Sequence, residues 1–283
     1  MKQIAKILVP LTGFGRDAAS LGTAFGLAEF FGAHIESLFA CPDPHSFPLV
    51  GVPFSLGVVD AMMDGQAIYA VEAEKSAREI LARVSAGRSA QPEGGVPATY
   101  AFRSEVGPSP AIISRRARLT DLVVFPSIRL PGFIEIIEAF LSVLTKLERP
   151  VVVSSDTASN KPISSVAIGW NGSKSSARAV MAAVPLLKRA KKVFVLEVAE
   201  AHKRPPADSI DRYLALHGIK TMRKSARLGP PSVGDMLAQG ASDLGVDLLV
   251  MGGYGHSHFR EAFLGGVTAD VLARVSMPVF LAH

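Results

Sequence analysis

One cysteine, one tryptophan and four tyrosines are spread over 283 residues. The lone thiol, Cys41, can close no internal disulfide and build no cysteine zinc site, so a reducing, cytoplasmic setting is expected. Long apolar runs are missing as well. No stretch approaches the roughly 18 uninterrupted apolar residues of a membrane helix, and the short apolar run in MKQIAKILVPLTGFGRD is below a signal-peptide core. No membrane contact is expected. Charged residues make up only 19%, and the densest basic stretch, KRAKK from Lys188 to Lys192, reads as a solvated helix end before a strand. Without clustered Lys/Arg interleaved with aromatics, nucleic acid is not an expected partner. Catalytic sets are lacking too. There is no Ser-His-Asp ordering, GxSxG elbow or carboxylate pair, and GWNGSKSS lacks the four-residue gap and Gly-Lys-Ser ending of a P-loop. His256 and His258 have only Glu261 near them in sequence, too few ligands for a metal. The chain reads as a binding protein rather than an enzyme.

What the chain has is hydrophobic bulk, 48% of residues, and an internal repeat. DLVVF at 121–125 matches DLLVM at 247–251, and PVVVS at 150–154 matches PVFLA at 278–282. VGPSPAIISRRA from Val106 answers LGPPSVGDMLAQ from Leu228, and KILVPL from Lys6 answers SVAIGW from Ser165. In each copy, apolar runs of about five residues alternate with segments of helical period, the pattern of parallel strands covered by helices on both faces. The second copy predicts five strands and four helices in this order. The expectation is α/β: two flavodoxin-like (Rossmann-like) doubly wound domains in tandem, each with a five-stranded parallel sheet. Residues 1–155 and 162–283 form the domains, the polar stretch 156–162 links them, and the final strands PVVVS and PVFLA pair so that one chain imitates a homodimer. Ligands on such sheets sit beyond the carboxyl ends of the strands.

MGGYGHSHFREAFLGG, from Met251 to Gly266, ends the predicted strand DLLVM and leads into a helix with Val267, Val271, Leu272 and Val275 at helical spacing. Glycine lets backbone approach a ligand closely, and the free N–H groups of a helix start attract phosphate. The net charge of +5 also lies in this half, where residues 151–283 hold 16 Lys/Arg against 10 Asp/Glu and residues 1–150 hold 14 against 15. Such a bias suits a small anionic ligand. Arg260 adds a cation to the loop, and Phe259 and Phe263 are expected to anchor it in the core.

The spacing Gly252, Gly255, Gly265 resembles the nucleotide-binding pattern of the universal stress protein family, and the two-copy layout resembles its tandem members. The resemblance implies a stress-response or signalling role, with ATP or another adenine nucleotide, possibly with Mg, bound in the second domain. It implies a site made of Asn171, Val198 and Met251 around the base and Gly252, Gly255, Gly265, Gly266 and Val267 around the phosphates. Two positions depart from the family pattern: Gly266 stands where a hydroxyl residue follows the last glycine, with Thr268 two residues on, and Asn171 stands where the family has an acid. An amide can still donate and accept at a base edge.

In the first copy Pro126, Ser127, Ile128 and Arg129 replace the glycine run, and Thr12 stands at the acidic position. Proline lacks the N–H and the others bring side chains, so this copy is expected to be a structural partner that binds no phosphate. The stretch from Cys41 to Gly65, CPDPHSFPLVGVPFSLGVVDAMMDG, is rich in Pro and Gly yet apolar and needs a cover. It supplies the alternative reading: a structural interaction protein with a vacant pocket, working through its surface and residues 41–65. Slow ATP hydrolysis and a further homodimer are left open by the sequence.

Overall fold

The computed structural model describes residues 4–41, 56–88, 98–128, 134–156, 163–198, 208–226, 232–254 and 266–283. In the first half, β1 (Lys6–Leu11), α1 (Asp17–Phe31), β2 (His34–Cys41), α2 (Leu56–Ser85), β3 (Thr99–Val106), α3 (Ser109–Ala117), β4 (Leu122–Phe125), α4 (Ile134–Leu141) and β5 (Val151–Val153) follow in order. A π-helical stretch, Ser142–Lys146, continues α4. The second half repeats the series as β6 (Ser165–Trp170), α5 (Lys174–Leu187), β7 (Lys192–Val198), α6 (Asp208–Leu216), β8 (Thr221–Ala226), α7 (Val233–Asp243), β9 (Leu248–Gly252), α8 (Val267–Arg274) and β10 (Val279–Ala282).

All ten strands form one sheet in the order β3-β2-β1-β4-β5-β10-β9-β6-β7-β8. Each half is parallel throughout with order 3-2-1-4-5, the Rossmann arrangement. The halves join where β5 and β10 pair antiparallel, Val153 opposite Val279 and Val151 opposite Leu281, as the repeated final strands lead one to expect. Apolar runs such as LVVF and LLVM are buried on both faces because helices cover each one. Along β1, Ile7, Val9 and Leu11 face a core shared with α1, α2, α5 and α6, while Leu8 faces the core of α3, α4, α7 and α8. Both cores run without a break through the two halves.

The aspartates that open the repeated motifs have a structural job. Asp121 accepts the N–H groups of Ala5 and Lys6, and Asp247 accepts those of Ser164 and Ser165 at 2.9 and 2.8 Å. Each carboxylate ties the start of a half's fourth strand to the start of its first. These bonds fix the neighbours between which the strand order reverses, β1 with β4 and β6 with β9. Because β5 and β10 run in opposite directions, the ligand edges of the two halves lie on opposite edges of the common sheet. None of the described helices is long and apolar enough to cross a membrane.

Candidate functional site

In the second half the reversal point lies between the carboxyl ends of β6 and β9. β6 ends in Trp170 and leads through Asn171 and left-handed Gly172 to Ser173, whose hydroxyl caps α5 by accepting the N–H of Ser176. The side-chain oxygen of Asn171 accepts the N–H of Ser173 at 3.1 Å, which leaves the amide NH2 as a donor on an exposed side chain. β9 ends at Met251 and Gly252. Met251 is buried and its side chain belongs to the core of α7 and α8, so only its backbone faces the edge. Val198 is the last residue of β7, paired with Ala226.

Bare backbone at Gly252 is demanded from inside the protein. A Cβ there would stand 2.6 Å from Ser176 N and 2.7 Å from the carbonyl carbon of Ser175. The end of β9 and the start of α5 are thus in contact, and the first turn of α5 walls one side of the crevice. Opposite it, α8 begins at Gly266 with φ 112° and ψ 161°, a conformation open only to glycine, and no described side chain caps it. Among the described residues nothing lies within 4 Å of where its Cβ would be, and Val267 behind it is 38% exposed. The Thr268 hydroxyl is turned inward, accepting the N–H of Tyr254 at 3.2 Å. Gly255 and Gly265, together with His256, His258, Phe259, Arg260, Glu261 and Phe263, lie outside the described residues, as do residues 42–55 of the apolar stretch in the first half.

Two features were missed by sequence reasoning. Among the described residues the indole N–H of Trp170 is buried without a partner, in a side chain only 9% exposed that belongs to the core of α1, α2, α5 and α6. A buried donor left unpaired costs about 1–3 kcal/mol. Its signal was the chain's one tryptophan standing at a strand end. The second is the seam with the first half: Tyr254 takes a left-handed φ of 53° and packs its ring edge-on against Phe140 of α4, centroids 6.1 Å apart. Burial pushes the Tyr254 phenol up from its ordinary pKa.

The corresponding edge of the first half is filled by its own side chains. Asp17, fully buried, turns its carboxylate into the loop after β1, where it accepts the N–H of Thr12 at 3.0 Å, the Thr12 hydroxyl at 2.9 Å and the N–H of Gly13 at 2.7 Å. Arg16 reaches across to donate to the carbonyl of Ser127, beyond β4, at 2.8 Å. Helix α2 closes over the loop: a Cβ on Gly13 would meet Ala73 O at 2.5 Å, and the Ser76 hydroxyl donates to Gly13 O. With 30 residues against 9 in α6, α2 has the reach to do so. An internal carboxyl thus sits on the amides of the loop that corresponds to the Asn171 loop of the second half.

The features present fit an adenine nucleotide in the second half: a helix start that no described side chain caps, for phosphate, and the exposed Asn171 amide for a base. Magnesium finds no protein cage, since among the described residues no group of three or more His, Cys, Asp or Glu could hold a metal ion. A metal here would be carried by the phosphates.

Residues 163–283 match the model of the universal stress protein family. None of the curated proteins matches the chain. Among solved structures it is similar to a universal stress protein from Archaeoglobus fulgidus, with 17% identity, 99% of this chain and 96% of that one covered, and a TM-score of 0.69. A functionally unknown protein from Pseudomonas aeruginosa follows at 14% identity, 99% and 92% coverage and a TM-score of 0.54. A putative universal stress protein from the same species has 15% identity, 99% and 93% coverage and a TM-score of 0.52. Residues 163–283 of this chain are thus similar to the universal stress protein family, and the whole chain has a tandem two-domain fold like that of the Archaeoglobus fulgidus protein.

Proposed function

We propose that the chain is a stress-response ligand-binding protein whose second domain, residues 162–283, binds an adenine nucleotide, with ATP as the expected ligand, while residues 1–155 form a domain that binds none. The observation that carries this reading is the open start of α8. Gly266 is in a glycine-only conformation, no described residue comes within 4 Å of where its Cβ would be, and no described side chain caps the helix beside the β6/β9 reversal point. Amides of an uncapped helix start attract phosphate through their N–H groups and the helix dipole. The backbones of Gly252, Gly255, Gly265, Gly266 and Val267 would receive the phosphates. Asn171 and the backbones of Val198 and Met251 would receive the base. The proposed function is binding rather than turnover.

Val267→Asp provides the test. An acid in the first turn suits the helix dipole, so the folded protein should keep its stability or gain about 0.5 kcal/mol. The same carboxylate repels phosphate and should weaken Mg-ATP binding at least about tenfold. Trp170, the only tryptophan, reports occupancy: its emission should change on titration of wild type with ATP, and the Val267→Asp titration should move to higher concentration. No response in wild type, together with no nucleotide released from freshly purified protein on denaturation, would sink the reading.

A further inference from the structure

The first half has filled its own crevice, yet its last helix is aimed at the other one. Because β5 and β10 are antiparallel, α4, which runs against the direction of β4 and β5, ends at the edge where β6 and β9 open. At that place three contacts cross the seam. Phe140, fully buried, meets the ring of Tyr254 edge-on. A Cβ on Gly253 would lie 3.1 Å from Leu144 Cδ2, so the loop backbone lies flat against the π-helical stretch after α4. Glu148 pairs with Arg178 of α5 at 2.9 Å, Arg178 donates to the carbonyl of His283 at 2.8 Å, and the His283 ring donates through Nδ1 to the carbonyl of Gly253 at 3.1 Å.

Backbone strain marks the same seam. Among the described residues only Tyr254 and Glu148 are non-glycines with positive φ, 53° and 50°. One lies on each side of the joint. Such a conformation costs on the order of 1 kcal/mol and persists where surrounding contacts over-determine it. Tyr254 is held both by Thr268 of its own half, which takes its N–H, and by Phe140 of the other half, against which its ring packs.

We propose that Phe140, Leu144 and Glu148 of the first half are positioning residues for the ligand loop of the second, so that the half without a free crevice sets the geometry of the half that has one. The inference rests on the nucleotide reading only for its effect on affinity; the clamp itself is a property of the protein without ligand. Three substitutions in the full chain test it. Phe140→Leu removes the ring contact, Glu148→Gly removes the ion pair while relieving the positive φ, and Tyr254→Phe keeps the ring. Amide hydrogen exchange without ligand is the first measurement. Exchange at Gly253, Tyr254 and the first turn of α8 should quicken about tenfold in Phe140→Leu and Glu148→Gly, and match wild type in Tyr254→Phe. Glu148→Gly guards against the chance that Phe140→Leu only loosens the core, since Glu148 is a surface residue. Unchanged exchange at those amides in both loosening variants overturns the proposal, whether or not nucleotide binds. Titration with ATP is the second measurement. About fivefold or greater weakening in both, at unchanged emission of bound Trp170, supports the clamp, and wild-type affinity in both overturns it. If wild type itself binds no ATP, the nucleotide reading falls and the exchange result alone decides the clamp.

Discussion

Replacing Gly252 by alanine is expected to destabilise the protein by about 3 kcal/mol, because one methyl group must enter a space already held by backbone. The new Cβ would meet Ser176 N at 2.6 Å and the Ser175 carbonyl carbon at 2.7 Å. Neither atom is the end of a flexible side chain. To make room, the first turn of α5 must move away from β9, and with it the Ser173 cap. The crevice then widens where the ligand is proposed to sit, so ATP affinity should fall along with stability. Gly240, inside α7, supplies the contrast: an added Cβ there makes only ordinary contact with Leu196 at 3.6 Å. Gly240→Ala should stabilise by about 0.5 kcal/mol through helix propensity alone. Urea denaturation of the two variants checks the pair. Opposite signs are expected, and equal effects would mean that the β9–α5 contact yields more easily than its backbone composition implies.

Much of the fold was legible because it follows from repeated local signals. The runs at β4 and β9 announce strands buried on both faces, and the matching PVVVS and PVFLA led to the antiparallel joint that makes ten strands one sheet. The aspartates opening both motifs could be seen to repeat, though not why; only the sheet reveals that each binds two N–H groups from a strand over eighty residues away in sequence. The site was less legible. Gly252 was read as bare backbone for a ligand, whereas its bareness is required by α5, a demand that spacing cannot express. The first copy was expected to be inactive because Pro126 replaces Gly252 and side chains follow. The structure adds hydrogen bonds upstream, from Arg16 to Ser127 and from Gly13 to Asp17, in residues that look like an ordinary helix start until their partners are known. Tyr254 is the extreme case. Its neighbours in sequence are glycines, and its ring packs on Phe140, more than a hundred residues earlier and in the other half. Contacts fixed by topology leave no period in the sequence.

Asp17 carries the second large effect, and its sign rests on two opposed terms. Burial pushes its pKa up to about 6 from 3.8, against hydrogen bonds from Thr12, Gly13 and Phe14 that favour the charged form. Raised in the folded state, the group stabilises the fold fully only below about pH 4, and that contribution is lost as pH rises through 6. The shift of about two units corresponds to about 3 kcal/mol. Asp17→Ala removes the acceptor for two backbone N–H groups, and should cost about 3 kcal/mol near pH 4 and about 1 kcal/mol at pH 7.5, where wild type has lost most of the carboxyl's contribution. Asp17→Asn behaves differently because one partner can reverse its role. The Thr12 hydroxyl, 2.9 Å from Oδ1, can accept from a new NH2, while the remaining oxygen still takes the N–H of Gly13. The amide keeps the bonds and buries no charge, so Asp17→Asn should be about 2 kcal/mol more stable than wild type at pH 7.5 and equal to it near pH 4. Adding Thr12→Val to Asp17→Asn removes the reversible partner and should abolish the gain. Urea titrations between pH 4 and 7.5 decide the matter: an asparagine variant weaker than wild type at pH 7.5 would mean that the amide cradle outweighs burial and holds this carboxylate charged.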